Sequence, residues 1–325
     1  MPIHRADVLK PYLWESVKIG EAFGPVEGPL SDLKLRAHAF AVDDYNPWYF
    51  DTSPFGGRIG HPTLLATDIL MLFTLNYDAN PPGFQGGLHA RNDLELVRPV
   101  LVGQKVTIVG RTTEKYQKRS QNYRALEGEV RNEAGEVCVR MRATETMGLA
   151  PGTPVGQRLG APAADAITGD IPAGTPVVAR AAQGLPPGAA VPEVTKHTSL
   201  EQSVLYSGFP HGWADGGARS MWVNIHTDPE DGRKHGQPDA VVQGLISAAF
   251  LSEMCVNFFG KSWFTSGRLS TAFIRPVIVR DVITAAGLVK RVERDGAGQR
   301  LWLDVWCKNQ HGTLVTVGRA SALVE

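Results

Sequence analysis

Arg98-Pro99-Val100-Leu101-Val102 returns 177 residues later as Arg275-Pro276-Val277-Ile278-Val279. The same shift carries Thr107 onto Thr284 and Arg142-Ala143 onto Arg319-Ala320; upstream it sets Asp51 on Asp228 and Tyr49 on His226. One offset that serves several separated segments marks an internal duplication, and a duplication has to be settled before a fold is assigned. The copies differ in polar equipment. Where the second has a histidine, the first has a tyrosine.

Each copy runs through the same order of elements. In the first, residues 61–77 are apolar nearly all round, as in a buried helix, and β-rich segments follow at 89–99, 104–117 and 121–131. Asn132-Glu133-Ala134-Gly135 turns into a strand at 136–147. There Val137, Val139 and Met141 alternate with Cys138, Arg140 and Arg142, the period of a strand buried on one face. The second copy predicts a helix over 241–259 and strands near 267–275, 281–292, 300–308 and 313–324. Its turn, Asn309-Gln310-His311-Gly312, again lies 177 residues after the first.

A buried helix followed by long antiparallel strands in meander order is an α+β pattern, a sheet wrapped around one helix. It resembles the hotdog fold, and two copies in one chain predict a tandem (double) hotdog. The stretch between Leu149 and Pro192 is rich in Pro, Gly and Ala, with little to bury and too many prolines for a helix or ladder. It reads as a spacer without structure of its own. The expected division is a first repeat over 1–149, a linker over 150–192 and a second repeat over 193–325.

Composition narrows the function. A chain of 325 residues is long enough for two separate cores. Its 33 basic and 33 acidic side chains cancel, so no global field draws it to nucleic acid or a charged membrane. Cys138, Cys255 and Cys307 are too far apart for a metal-ligand spacing or a disulfide framework, which fits a reducing compartment. The N-terminus lacks the apolar run of a signal peptide. The apolar stretch from Leu64 to Leu75 contains Asp68 and is too short to span a bilayer. These features predict a cytoplasmic protein with no nucleic-acid or membrane partner, no metal and no cofactor; P-loop, Gly-x-Gly-x-x-Gly, nucleophile-elbow and zinc patterns are all missing from the sequence.

Asp44-Tyr45-Asn46-Pro47-Trp48-Tyr49-Phe50-Asp51, with Gly57-Arg58-Ile59-Gly60-His61-Pro62 opening a helix, resembles the hydratase motif of MaoC-like proteins. That family includes the (R)-specific enoyl-CoA hydratases. Its motif has an Asp, then Asn-Pro, a His five residues after the Asp, and a helix that begins with His-Gly or a close variant. The second copy offers Asn224-Ile225-His226-Thr227-Asp228-Pro229-Glu230, then Val241-Val242-Gln243-Gly244-Leu245. The likeness implies a hydratase or dehydratase whose partner is an acyl-CoA or another acyl thioester. Each copy departs from the pattern. The first has Tyr49 at the histidine position and Pro62, which has no N–H, at the helix-start glycine. The second keeps His226 and Gly244 but has Met221 at the Asp position, and Asp215 in the preceding loop is the candidate carboxylate.

Adding water to an enoyl thioester requires a base to hold the water, an acid to protonate the α-carbon and donors for the enolate oxygen. Histidine suits the proton transfers, a helix N-terminus suits the oxyanion, and glycine there allows close approach. The expected catalytic set is therefore His226, Gly244 and Asp215, with Gln243 and Asn224 as substrate contacts. Asp44, Tyr49 and His61, in the spent first copy, are expected as further substrate-binding residues. His61 is also expected to satisfy amides at the helix start, Tyr49 to pack with a tethered hydroxyl, and Asp51 and Asp228 to share a turn-capping role. The basic run from Arg111 to Arg119 suits CoA phosphates or a solvated strand end. A hotdog thioesterase and a non-catalytic binding subunit completed by a partner chain are the rival functions. A homodimer is compatible with the pattern, as is a monomer in which the fused pair is complete.

Overall fold

The protein is described by a computed structural model that covers residues 9–79, 87–118, 121–148, 166–208, 224–296 and 298–324. The first half contains β1 (Lys10–Pro11), β2 (Ala22–Pro29), α1 (Asp32–Val42), α2 (Pro47–Phe50) and α3 (Leu64–Met71). It continues through β3 (Tyr77–Asp78), β4 (His89–Leu96), β5 (Lys105–Lys118), β6 (Gln121–Asn132) and β7 (Val137–Met147). The second half contains β8 (Ala190–His197), α4 (Leu200–Gly208), α5 (Pro229–Lys234), β9 (Val241–Val242), α6 (Gly244–Phe259) and α7 (Lys261–Ser266). It ends with β10 (Arg268–Phe273), β11 (Val277–Ile278), β12 (Val282–Asp295), β13 (Gly298–Lys308) and β14 (Leu314–Val324).

Ten strands form one sheet in the order β2-β5-β6-β7-β4-β10-β14-β13-β12-β8. Replacing each strand by its copy in the other half leaves that order unchanged when read backwards. The halves join at the antiparallel β4–β10 pair, whose central register sets Asp93 opposite Ser270. Irregularities repeat as well. The extra residue that bulges β5 against β6 is Thr113, and Lys290 bulges β12 against β13. Cys138 and Val315 do the same in β7 and β14. Bulges are specific local features, so their recurrence at the repeat spacing places the duplication in the backbone itself.

The central helices lie on the inner face of this sheet. Every residue of α3 is buried, Asp68 included. Gly110 and Gly128 face each other across β5 and β6. A Cβ on either would strike Leu72 or Ile69, so the bare backbone lets α3 and the 3-10 turn after it (Leu72–Leu75) settle against the sheet. The first helix is shorter than the expected 61–77, because the chain turns at Pro62-Thr63 and tightens to 3-10 geometry after Met71. The second begins at Gly244, since Val241 and Val242 pair with β11 as a short strand. The spacer is not structureless in its described part. Ile167 and Ile171 pack on Trp306, Ala286 and Val317, and the Gly188 N–H bonds Val289 O.

Candidate active site

The 177-residue shift holds along the strands that follow each central helix, but not between β2 and β8, where Pro29 and His197 are the matching residues, nor through the loop before each helix. Leu101 bridges Ile59, whereas its copy Ile278 pairs with Val241. His61 therefore corresponds to Gln243 and Pro62 to Gly244. The chain forms two helix starts of the same origin and fills them differently.

At the first, Asp44 collects its neighbours. Tyr49 donates its hydroxyl to Asp44 Oδ2 at 3.3 Å, and the Asn46 amide donates to Oδ1 at 3.1 Å. His61 Nε2 lies 3.1 Å from Oδ2, off the line of a good hydrogen bond. The other His61 nitrogen, Nδ1, accepts from the Thr63 amide at 3.1 Å and approaches His38 Nε2 at 3.3 Å. Burial alone would raise the Asp44 carboxyl, but His61, the Asn46 amide and Lys196 outweigh it and hold it below the usual range. Lys196 reaches in from β8 to bond Asp43 O and lies 2.9 Å from Glu253 Oε2 of α6. Burial and the Asp44 charge push Glu253 up to about 7, against the pull of Lys196. Beside His61, Pro62 and Leu96 lies a space of about 20 Å³, room for one water, and past His38 lies a larger cavity of about 430 Å³ lined by Leu64, Leu65, Asp68 and Tyr206.

At the second, Gln243 and Gly244 are half-buried. Asn224 Oδ1 accepts the His226 amide at 2.8 Å in an Asx turn, and Ser203 of α4 donates to His226 O at 2.8 Å. The ring bonds Val241 O through Nδ1 at 2.7 Å. A carbonyl only accepts, so Nδ1 carries the proton and Nε2 of the neutral ring is left as an acceptor. Burial lowers the His226 pKa, opposed by the Val241 carbonyl and by the charge of Asp231. Next to it, α6 begins with Gly244 and has no side-chain cap; its N-cap residue, Gln243, keeps a buried Oε1 without a partner. A Cβ on Gly244 would meet the Phe273 ring at 2.9 Å, so only glycine fits against that ring.

Residues 17–141 match the family model of the FAS1-like dehydratase domain region. Among solved structures, a MaoC-like dehydratase superposes with a TM-score of 0.73 at 18% identity, covering 94% of this chain and 98% of that one. A Mycobacterium tuberculosis protein described as a double hotdog gives 0.62 at 15% identity, over 96% and 98% of the two chains. The full-length peroxisomal multifunctional enzyme type 2 of Drosophila melanogaster gives 0.59 at 17%, over 94% of this chain and 48% of that longer one. No curated protein sequence matches the chain. The fold is the MaoC-like double hotdog.

Within this double hotdog, His226, Gln243, Gly244 and Asn224 meet at one helix start, and Asp44, Tyr49 and His61 meet at the other. Tyr49 takes the motif's histidine position, yet the shorter loop brings another imidazole, His61, to Asp44. Asn224 Oδ1 holds the turn that presents His226. Asp215 lies outside the described residues, as do Met221 and His211. Asp228 caps α5 by accepting the Glu230 amide at 2.8 Å, but Asp51 ends α2 instead, so the shared capping role fails. In the basic run, Lys115 is turned inward onto Trp14 O and Val17 O and stacks 4.3 Å over the Trp14 ring. The double hotdog also has a hollow of about 1080 Å³ on the outer face of its sheet, lined by paired charges such as Arg140–Glu95 and by neither His61 nor His226. Among the described residues no acidic, His and Cys cluster could hold a metal, and no helix is long and apolar enough to cross a membrane.

Two residues of the second helix start escaped the sequence reading. Phe273 corresponds to Leu96 and could have been found from the repeat. His89 could not, since nothing in its neighbourhood announces a site.

Proposed function

We propose that the protein is a hydratase or dehydratase of an enoyl or 3-hydroxyacyl thioester of the CoA type, acting at the C-terminal helix start. The observation that carries this reading is the contrast between the two halves. The N-terminal start has Pro62 in place of a donor amide and its His61 held against Asp44, whereas the C-terminal start has an uncapped Gly244 beside a neutral imidazole. In the hydration direction, His226 Nε2 takes a proton from water as the water oxygen bonds the β-carbon. The double-bond electrons move onto the thioester oxygen, where the Gly244 N–H and the positive end of α6 stabilise the charge. The imidazolium then returns its proton to the α-carbon. Dehydration is the reverse.

Mixing the protein with a series of trans-2-enoyl-CoA substrates, from crotonyl-CoA upward, tests this by following the enone absorbance and free thiol together. Loss of enone absorbance without thiol release supports hydration, and His226→Gln should abolish it while the fold survives. Thiol release would instead establish a thioesterase. Inactivity restored only by a second chain would establish a binding subunit.

A further inference from the structure

His89 sits on a strand of the N-terminal half, yet its ring faces the C-terminal helix start. Along β4, Arg91 and Asp93 point to the outer face, and simple alternation would send His89 outward with them. A bulge prevents this. His89 pairs with Glu145 and Arg91 with Thr144, so Ala90 is an extra residue that turns His89 inward. The turned ring lies 5.0 Å from Phe273, the same ring that packs on Gly244. Both of its nitrogens are buried without a well-formed hydrogen bond, as is Gln243 Oε1 nearby. Buried polar atoms are nearly always satisfied, so a group of them around one helix start points to a ligand that supplies the missing bonds.

We propose that His89 is a substrate-binding residue of the C-terminal site, accepting a hydrogen bond from the oxygen that is added to, or leaves, the β-carbon. This rests on the hydratase reading above. A water held there has two hydrogens to direct; His226 Nε2 removes one, and the unprotonated nitrogen of His89 accepts the other. The ring is suited to that because burial, aided by the proximity of His226 and opposed by the Arg91 backbone, pushes it down to about 4 and keeps it neutral. No proton is gained or lost at His89 in the cycle.

His89→Leu and His89→Gln are compared with His226→Gln on the enoyl-CoA that the wild type hydrates fastest. The leucine variant should lose about 100-fold in kcat with its melting temperature unchanged or raised. The glutamine variant, which keeps an acceptor, should recover part of the loss. Full activity in His89→Leu with none in His226→Gln would overturn the role of His89 and leave the hydratase reading standing. A fall in activity matched by a fall in stability, with no rescue by glutamine, would also overturn it. Absence of hydration by the wild type would sink the hydratase reading, and this proposal with it.

Discussion

Ser270 donates its hydroxyl to Asp93 across the junction of the two halves, and the residues stand 177 positions apart, the repeat distance itself. They occupy the centre of the β4–β10 pair, where a residue of two identical copies would face its own image. A single Asp at that position would face another Asp in such a pair, and like charges directly opposite are destabilising. Fusion into one chain lets the two sides differ, and here they have become donor and acceptor.

Ser270→Asp should restore the conflict. The expected loss is about 1–2 kcal/mol at neutral pH, from a broken hydrogen bond and a like-charge pair. Urea denaturation would show it, and adding Asp93→Asn should remove most of it.

Asp44→Ala should damage the fold and spare the chemistry. It strips the acceptor from Tyr49 and the Asn46 amide and the charge from beside His61, all at a buried site, at a cost of roughly 3 kcal/mol. Per folded molecule, hydration at the C-terminal site should be unchanged. A kcat that falls while the melting temperature holds would place catalysis in the N-terminal half instead.

Gly244→Ala should push the helix start away from Phe273, because its Cβ would lie 2.9 Å from that ring. A misplacement of this size is expected to lower kcat/KM by about 100-fold. Phe273→Ala in the same chain makes room and should recover part of the loss, which a double-mutant cycle would measure as coupling.

Stability should depend on pH through His89. Its folded pKa of about 4 lies below the unfolded value, so between pH 4 and about 6.5 the unfolded chain binds more protons. Stability is therefore full above that window and is lost as pH falls through it, by up to about 1.4 kcal/mol per unit from this residue. Glu253, pushed up to about 7, works in the opposite sense between about 4.5 and 7. Denaturation midpoints against pH should therefore be less steep on the acid side in His89→Leu, and Glu253→Gln should remove the opposing term.

The duplication was legible because strand registers tolerate no slip: one misplaced residue turns a whole buried face outward. Val137, Val139 and Met141 announced β7 by alternation, and the turn at Gly135 found its copy at Gly312. The central helices were legible as apolar runs, but their ends were not. The 61–77 run is continuous in hydrophobicity, and only Pro62 and the close glycine contacts of Leu72 and Ile69 decide where regular helix starts and stops. The first copy's His61 was visible as a residue but not as a neighbour of Asp44, because a loop five residues shorter than its counterpart changes which side chain reaches the carboxylate.

By itself the sequence determined that the chain is two related α+β units, that an imidazole survives in one motif, and that a glycine opens the helix beside it. Those are properties of local pattern and spacing. Tertiary structure decided the Val241 carbonyl that fixes the tautomer of His226, the His61 that lies against Asp44 at the other helix start, and the bulge at Ala90 that turns His89 inward. Each depends on where distant strands pair, and a contact across a sheet leaves no trace in the order of residues along either strand.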